Sequence, residues 1–136
     1  EPLAIHYSFK MDLGETDILY FNPMMNEGLK ENPFKSLRRF YPVEMNYAID
    51  QTYLLRLETP AGYVIDELPK QLTVKLNAAG DGFFEYRLSE SKGTISLRSR
   101  LKINRTFYSP EEYDYLREFF NLVVKKHAEQ IVFKKK

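Results

Sequence analysis

The chain has 136 residues, with 20 Lys and Arg against 19 Asp and Glu, no Cys and no Trp. That length suits one compact domain, and a net charge of +1 lacks the basic excess that tracking a phosphate backbone demands, so nucleic acid is not the expected partner. Without Cys there are no disulfides, thiolate metal centres or thiol nucleophiles, and the longest apolar run, Ile18 to Phe21, is far too short to cross a bilayer as a helix.

Strict alternation opens the chain. Leu3, Ile5, Tyr7, Phe9 and Met11 alternate with Ala4, His6, Ser8, Lys10 and Asp12, the pattern of a strand with one buried face. Asp17 to Phe21 reads as a second strand, expected to pair with the first across Gly14-Glu15. Asn22-Pro23 ends it, and Met24 to Arg38 follows as a long connection without a clear period. Its Met24, Met25, Leu29, Phe34 and Leu37 are costly to leave in water, so the segment is expected across a sheet edge or against a neighbouring domain.

From Pro42 the strands become regular. Pro42 to Ile49 reads as one and Thr52 to Glu58 as the next, with Tyr53, Leu55 and Leu57 inward and Leu54 an apolar exception on the outward side. Pro60-Ala61-Gly62 predicts a turn before a short extended piece, Tyr63 to Leu68. Strands follow at Leu72–Leu76 and Phe84–Leu88, with Gly80-Asp81-Gly82 as the hairpin signal between them and Ser91-Lys92-Gly93 as the next turn. In the last long strand, Ile95, Leu97, Ser99, Leu101 and Ile103 alternate with polar neighbours.

The period changes once. Ser109-Pro110-Glu111-Glu112 carries a capping hydroxyl, a proline suited to the first turn and a carboxylate three residues after the cap. Tyr113, Leu116, Phe120, Val123 and His127 then recur at spacings of three and four, which predicts an amphipathic helix within 109–128. Ile131 to Phe133 is expected as a final strand. The fold class is thus mainly β: an antiparallel β-sandwich, with an immunoglobulin-like arrangement open, carrying one C-terminal helix. Residues 1–136 read as a single domain, and the Glu1-Pro2 start suggests a segment of a longer protein.

Chemistry is sparse. The two histidines, His6 and His127, stand 121 residues apart without a thiolate partner, a poor basis for a metal site. No G-x-S-x-G elbow or phosphate-binding glycine loop occurs. Asp66-Glu67 falls in a surface turn and Glu111-Glu112 serves the helix cap, so neither suggests a two-carboxylate site. No catalytic residue, metal or cofactor is expected. Arg98, Arg100 and Lys102 share one side of one strand and either face solvent with cross-strand partners such as Glu85 or Glu58, or receive an acidic partner or carboxylated sugar. Together with Met24, Met25 and Phe34 they form the candidate interaction surface. Tyr41, Tyr47, Phe83, Phe107 and Tyr115 fall outside the inward alternation and are further candidates for contact.

Several separated pieces carry a resemblance. They are Leu19-Tyr20-Phe21-Asn22-Pro23, Asn32-Pro33-Phe34, Arg39-Phe40-Tyr41-Pro42-Val43-Glu44, Glu58-Thr59-Pro60-Ala61-Gly62-Tyr63, Leu68-Pro69, Tyr108, the Tyr113-x-x-Leu116-x-x-Phe119-Phe120 helix and Ile131-Val132-Phe133-Lys134-Lys135. In this order and spacing the chain resembles the C-terminal domain, of unknown function, of bacterial secreted transglutaminase-like and protease-like proteins. The resemblance implies a β-sandwich that trails a papain-like core, has no catalytic residues of its own, supports or orients that core, and is exported to the periplasm or cell surface. Its expected partners are the neighbouring domains of the same polypeptide. The alternative is a module that binds carbohydrate or peptide through exposed rings and the Arg98, Arg100, Lys102 row.

Overall fold

The computed structural model describes residues 17–25, 27–34, 42–44 and 48–136. The elements run β1 (Ile18–Phe21), β2 (Val43–Glu44), β3 (Ile49–Glu58), β4 (Tyr63–Glu67), β5 (Leu72–Lys75), β6 (Gly82–Ser91), β7 (Thr94–Ile103), β8 (Phe107–Tyr108), a 3₁₀ turn (Pro110–Glu112), α1 (Tyr113–His127) and β9 (Ile131–Lys135). A four-stranded antiparallel sheet has the order β3-β7-β6-β5, a three-stranded one β1-β9-β4, and β2 pairs with β8 in a small ribbon. The fold is mainly β with one C-terminal helix, consistent with the expected sandwich.

Period-two alternation sets the long strands. In β7, Ile95, Leu97, Ser99, Leu101 and Ile103 are buried, as are Phe84, Tyr86 and Leu88 of β6, so one face of the sheet is an apolar floor interrupted by Ser99. Each fully buried side chain of this size contributes about 1.5–3 kcal/mol. The β6–β7 hairpin closes through Lys92 and Gly93, both at positive φ (51° and 82°), a backbone twist that matches the right-handed twist of the flanking strands. Gly62 (φ 87°) completes the Pro60 turn, where the Tyr63 N–H donates to the Pro60 carbonyl at 3.1 Å.

The helix lies on that floor. Ser109 opens it: its backbone N–H donates to Glu112 Oε1 at 2.9 Å, and the Glu112 N–H donates back to the Ser109 carbonyl at 3.0 Å. The first turn after the cap is 3₁₀, so α1 begins at Tyr113 rather than Pro110. Tyr113, Leu116, Phe119, Phe120, Val123 and His127 are its buried side chains, and the expected stripe holds with Phe119 added. Arg105 forks onto the Glu112 carboxylate, bonds Asp81 at 3.2 Å and lies over the Tyr108 ring, tying the start of the helix to the β5–β6 loop.

One expectation changes, and another falls on residues outside those described. β1 pairs with β9, Ile18 opposite Lys134; the segment Leu3–Met11, expected as its partner, lies outside the described residues, as do His6, Tyr41 and Tyr47. Met24, expected on an interaction surface, is only 2% exposed and belongs to this domain's own core. Phe34 packs edge-on against Phe120 and Tyr113, with ring centroids 5.3 and 5.9 Å apart. The connection from Met24 to Phe34 thus covers the helix, because α1 supplies the apolar rings that shield these side chains from water.

Candidate functional site

Among the described residues the inner face holds one buried pair of polar side chains. Ser99 on β7 and His127 at the end of α1 are both buried (3% and 7% exposed), with Oγ and Nε2 3.1 Å apart. A serine beside a histidine invites comparison with an activated nucleophile, and the third partner decides the matter. The Leu29 backbone N–H donates to His127 Nδ1 at 2.9 Å, so Nδ1 must offer a lone pair. The neutral ring therefore keeps its proton on Nε2 and donates it to Ser99 Oγ. A base that activates serine needs the opposite sense, with Nε2 accepting.

His127 is a structural pin. Burial holds its pKa down at about 4, from an ordinary 6.5, so at neutral pH the ring is uncharged. The ring lies edge-on to Phe84 (5.2 Å), and Asn22 Nδ2 donates to the His127 carbonyl at 3.0 Å. Gly28 makes the approach of the connection possible, since a Cβ there would sit 3.0 Å from Met24 Cβ and 3.3 Å from His127 Cβ. The sequence placed Ser99 inward and His127 on the helix stripe, but their meeting depends on how the helix crosses the sheet.

The outer face of the same sheet carries the charges. Arg100 is paired: it holds Asp50 through Nε (3.1 Å) and a second nitrogen (3.0 Å), and lies over Phe83 at 5.4 Å. The hydrogen bond from Arg100 lowers the Asp50 pKa. Lys102 stands opposite Asp50 on one side and Phe83 on the other. Arg98 departs from this pattern. It faces Leu54 across β3 and Arg87 across β6, and both arginines reach one carboxylate, Glu85, at 3.4 and 2.9 Å. In the next row Arg56 faces Ser96, which faces Ser89.

Leu54, Arg56, Arg87, Ser89, Ser96 and Arg98 line an open depression of about 430 Å³. Leu54 is 68% exposed. The expected row of Arg98, Arg100 and Lys102 is therefore split, with Arg98 in the depression and the other two at the Asp50 end. Glu85 is the cross-strand partner anticipated for the row, whereas Glu58 lies opposite Thr94. Arg56 and Arg87 join the cluster only through strand register, which one strand read alone does not show. Phe107 is half exposed on the β2–β8 ribbon, Tyr115 donates to Glu112 Oε2 at 2.6 Å, and Met25 is half-buried at positive φ (55°). Among the described residues no group of three or more His, Asp or Glu is placed to hold a metal ion, and no helix is long and apolar enough to cross a membrane.

The profile of a domain family of unknown function with solved structure, DUF3858, matches residues 17–133. The chain belongs to the DUF3858 family. No curated protein matches this DUF3858 chain. Among solved structures it is similar to a Parabacteroides distasonis protein described as a "putative protease", with a TM-score of 0.67 at 13% identity. The match covers 86% of this chain and 23% of that one, so this chain corresponds to about a quarter of the longer protein's length. At that identity the likeness speaks for the fold alone.

Proposed function

We propose that this DUF3858 domain is a non-catalytic accessory module of a longer exported protein, packed beside a transglutaminase-like core that it supports or orients. The observation that carries the reading is the share of the structural match: nearly the whole domain corresponds to a minor part of a much longer chain described as a "putative protease". The Ser99–His127 pair fits this role, since its hydrogen bonds run in the sense of a structural pin rather than an activated hydroxyl. Intrachain domain contacts commonly bury about 600–1,500 Å², and the outer sheet face offers a surface for one.

The test uses the longer polypeptide with and without residues 17–136. Chemical cross-linking read by mass spectrometry is expected to join lysines of this domain to the core, and removal of the domain is expected to lower the core's unfolding midpoint or its activity. A core with unchanged midpoint and activity, and no cross-links to this domain, would overturn the reading.

A further inference from the structure

Leu54 breaks the alternation of its own strand, and the structure shows what surrounds it. Its cross-strand row is Leu54–Arg98–Arg87, which sets two like charges directly opposite each other, an arrangement that disfavours the sheet. Among the described residues only Glu85 offsets them, one carboxylate shared by two guanidiniums. Arg56, one row along, has no carboxylate partner among the described residues; Glu58, two positions on, makes no ion pair with it there. By strand register the outward positions of the sheet carry six cations (Arg56, Lys75, Arg87, Arg98, Arg100, Lys102) against three anions (Asp50, Glu58, Glu85). A chain that is almost neutral as a whole thus concentrates positive charge on one face, around an exposed apolar side chain.

We propose that the Leu54 depression docks an acidic protein segment of the neighbouring domain, with an apolar side chain seated on Leu54 and flanking carboxylates taken by Arg56, Arg87 and Arg98. This rests on the accessory reading above and names its surface and the partner's chemistry. Guanidiniums suit carboxylates through paired N–H donors. Ser89 and Ser96 are small beside the arginines, and their hydroxyls add hydrogen-bonding capacity to the lining of the depression. Arg56, without a carboxylate partner among the described residues, and Arg87 and Arg98, which share the single Glu85 carboxylate, all leave donor capacity for an incoming anion. Charge complementarity selects an acidic partner, while exposed Leu54 at the centre selects one with an apolar anchor rather than a bare polyanion.

Three probes distinguish the possibilities: a short synthetic peptide alternating Glu and Leu, an all-Glu peptide of equal length, and an oligogalacturonate. Each is titrated into the labelled 136-residue chain and followed by amide chemical shifts. The Glu/Leu peptide is expected to shift Leu54, Arg56, Arg87, Ser89, Ser96 and Arg98. Arg56→Gln with Arg98→Gln should weaken it by roughly tenfold, and Leu54→Ala by a few-fold, with unfolding midpoints close to the parent's. Absence of shifts at these residues overturns the proposal. So does equal binding of the all-Glu peptide with no effect of Leu54→Ala, and so does tighter binding of the oligogalacturonate, which would mark a polysaccharide site. Cross-links to the core from another face would leave the accessory reading intact and sink this one.

Discussion

The two faces of the four-stranded sheet are built from alternate residues of the same strands and solve opposite problems. On the inner face the polar groups of Ser99 and His127 are shut away from water and matched to each other and to the Leu29 N–H, as burial of a polar group requires. On the outer face Arg56, Arg87 and Arg98 outnumber their carboxylates, an imbalance that water tolerates. The difference teaches that polar residues alone do not mark function. A polar pair whose hydrogen bonds fix it in place serves the fold, while a solvent-facing cluster with donors to spare is available to something else.

The largest effects should come from breaking the inner face. Phe84→Ala or Leu116→Ala, each removing a side chain with no exposed surface, should cost about 3–5 kcal/mol, measured by denaturant unfolding. His127→Leu should cost about 2 kcal/mol, because it leaves the Leu29 N–H and Ser99 hydroxyl without their partner.

The same histidine predicts a pH effect with a definite sign. Its folded pKa, about 4, lies below the ordinary 6.5, so the unfolded chain takes up the proton first as pH falls. Its stabilisation is complete above about pH 6.5 and drains away between there and pH 4, by an amount of order 3 kcal/mol. Glu112, held at about 2 chiefly by the Arg105 hydrogen bond against an ordinary 4.5, contributes above pH 4.5 and is lost below it. Unfolding curves at pH 7 and pH 5 should therefore separate the parent from His127→Leu, whose stability should change less between these two values. Equal slopes would remove His127 from the account. Smallest of all, Leu54→Ala on the outer face should stay within about 0.5 kcal/mol of the parent, so any effect it has on docking reports the surface and not the fold.

Much of this was legible because it is local. Alternation fixed the faces of β6 and β7, Lys92-Gly93 announced its hairpin, and Ser109 to Glu112 announced the helix start. Contacts distant in sequence were hidden. Ser99 and His127 meet across 28 residues and Leu29 and His127 across 98, and nothing in the spacing states how a helix will cross a sheet. The Arg56, Arg87, Arg98 cluster needs the register of three strands, so the sequence showed Arg98 beside Arg100 and Lys102 but not beside its actual neighbours. Met24 misled for a related reason: an apolar residue in a loop needs cover, and the sequence does not say whether that cover is another domain or the chain's own helix.

One consequence concerns how the molecule is made. β9 lies between β1 and β4, yet it follows both in the chain, with Ile18 waiting for Lys134 and Val64 for the same residue. During synthesis from the N-terminus, β1 and β4 emerge long before the strand that joins them, and each presents unsatisfied edge groups until it arrives. Assembly of that sheet is therefore a late event governed by distant pairing, which is slow by comparison with closing the β6–β7 hairpin. A released chain ending before Ile131 would have its four-stranded sheet able to form and its three-stranded sheet still in two pieces.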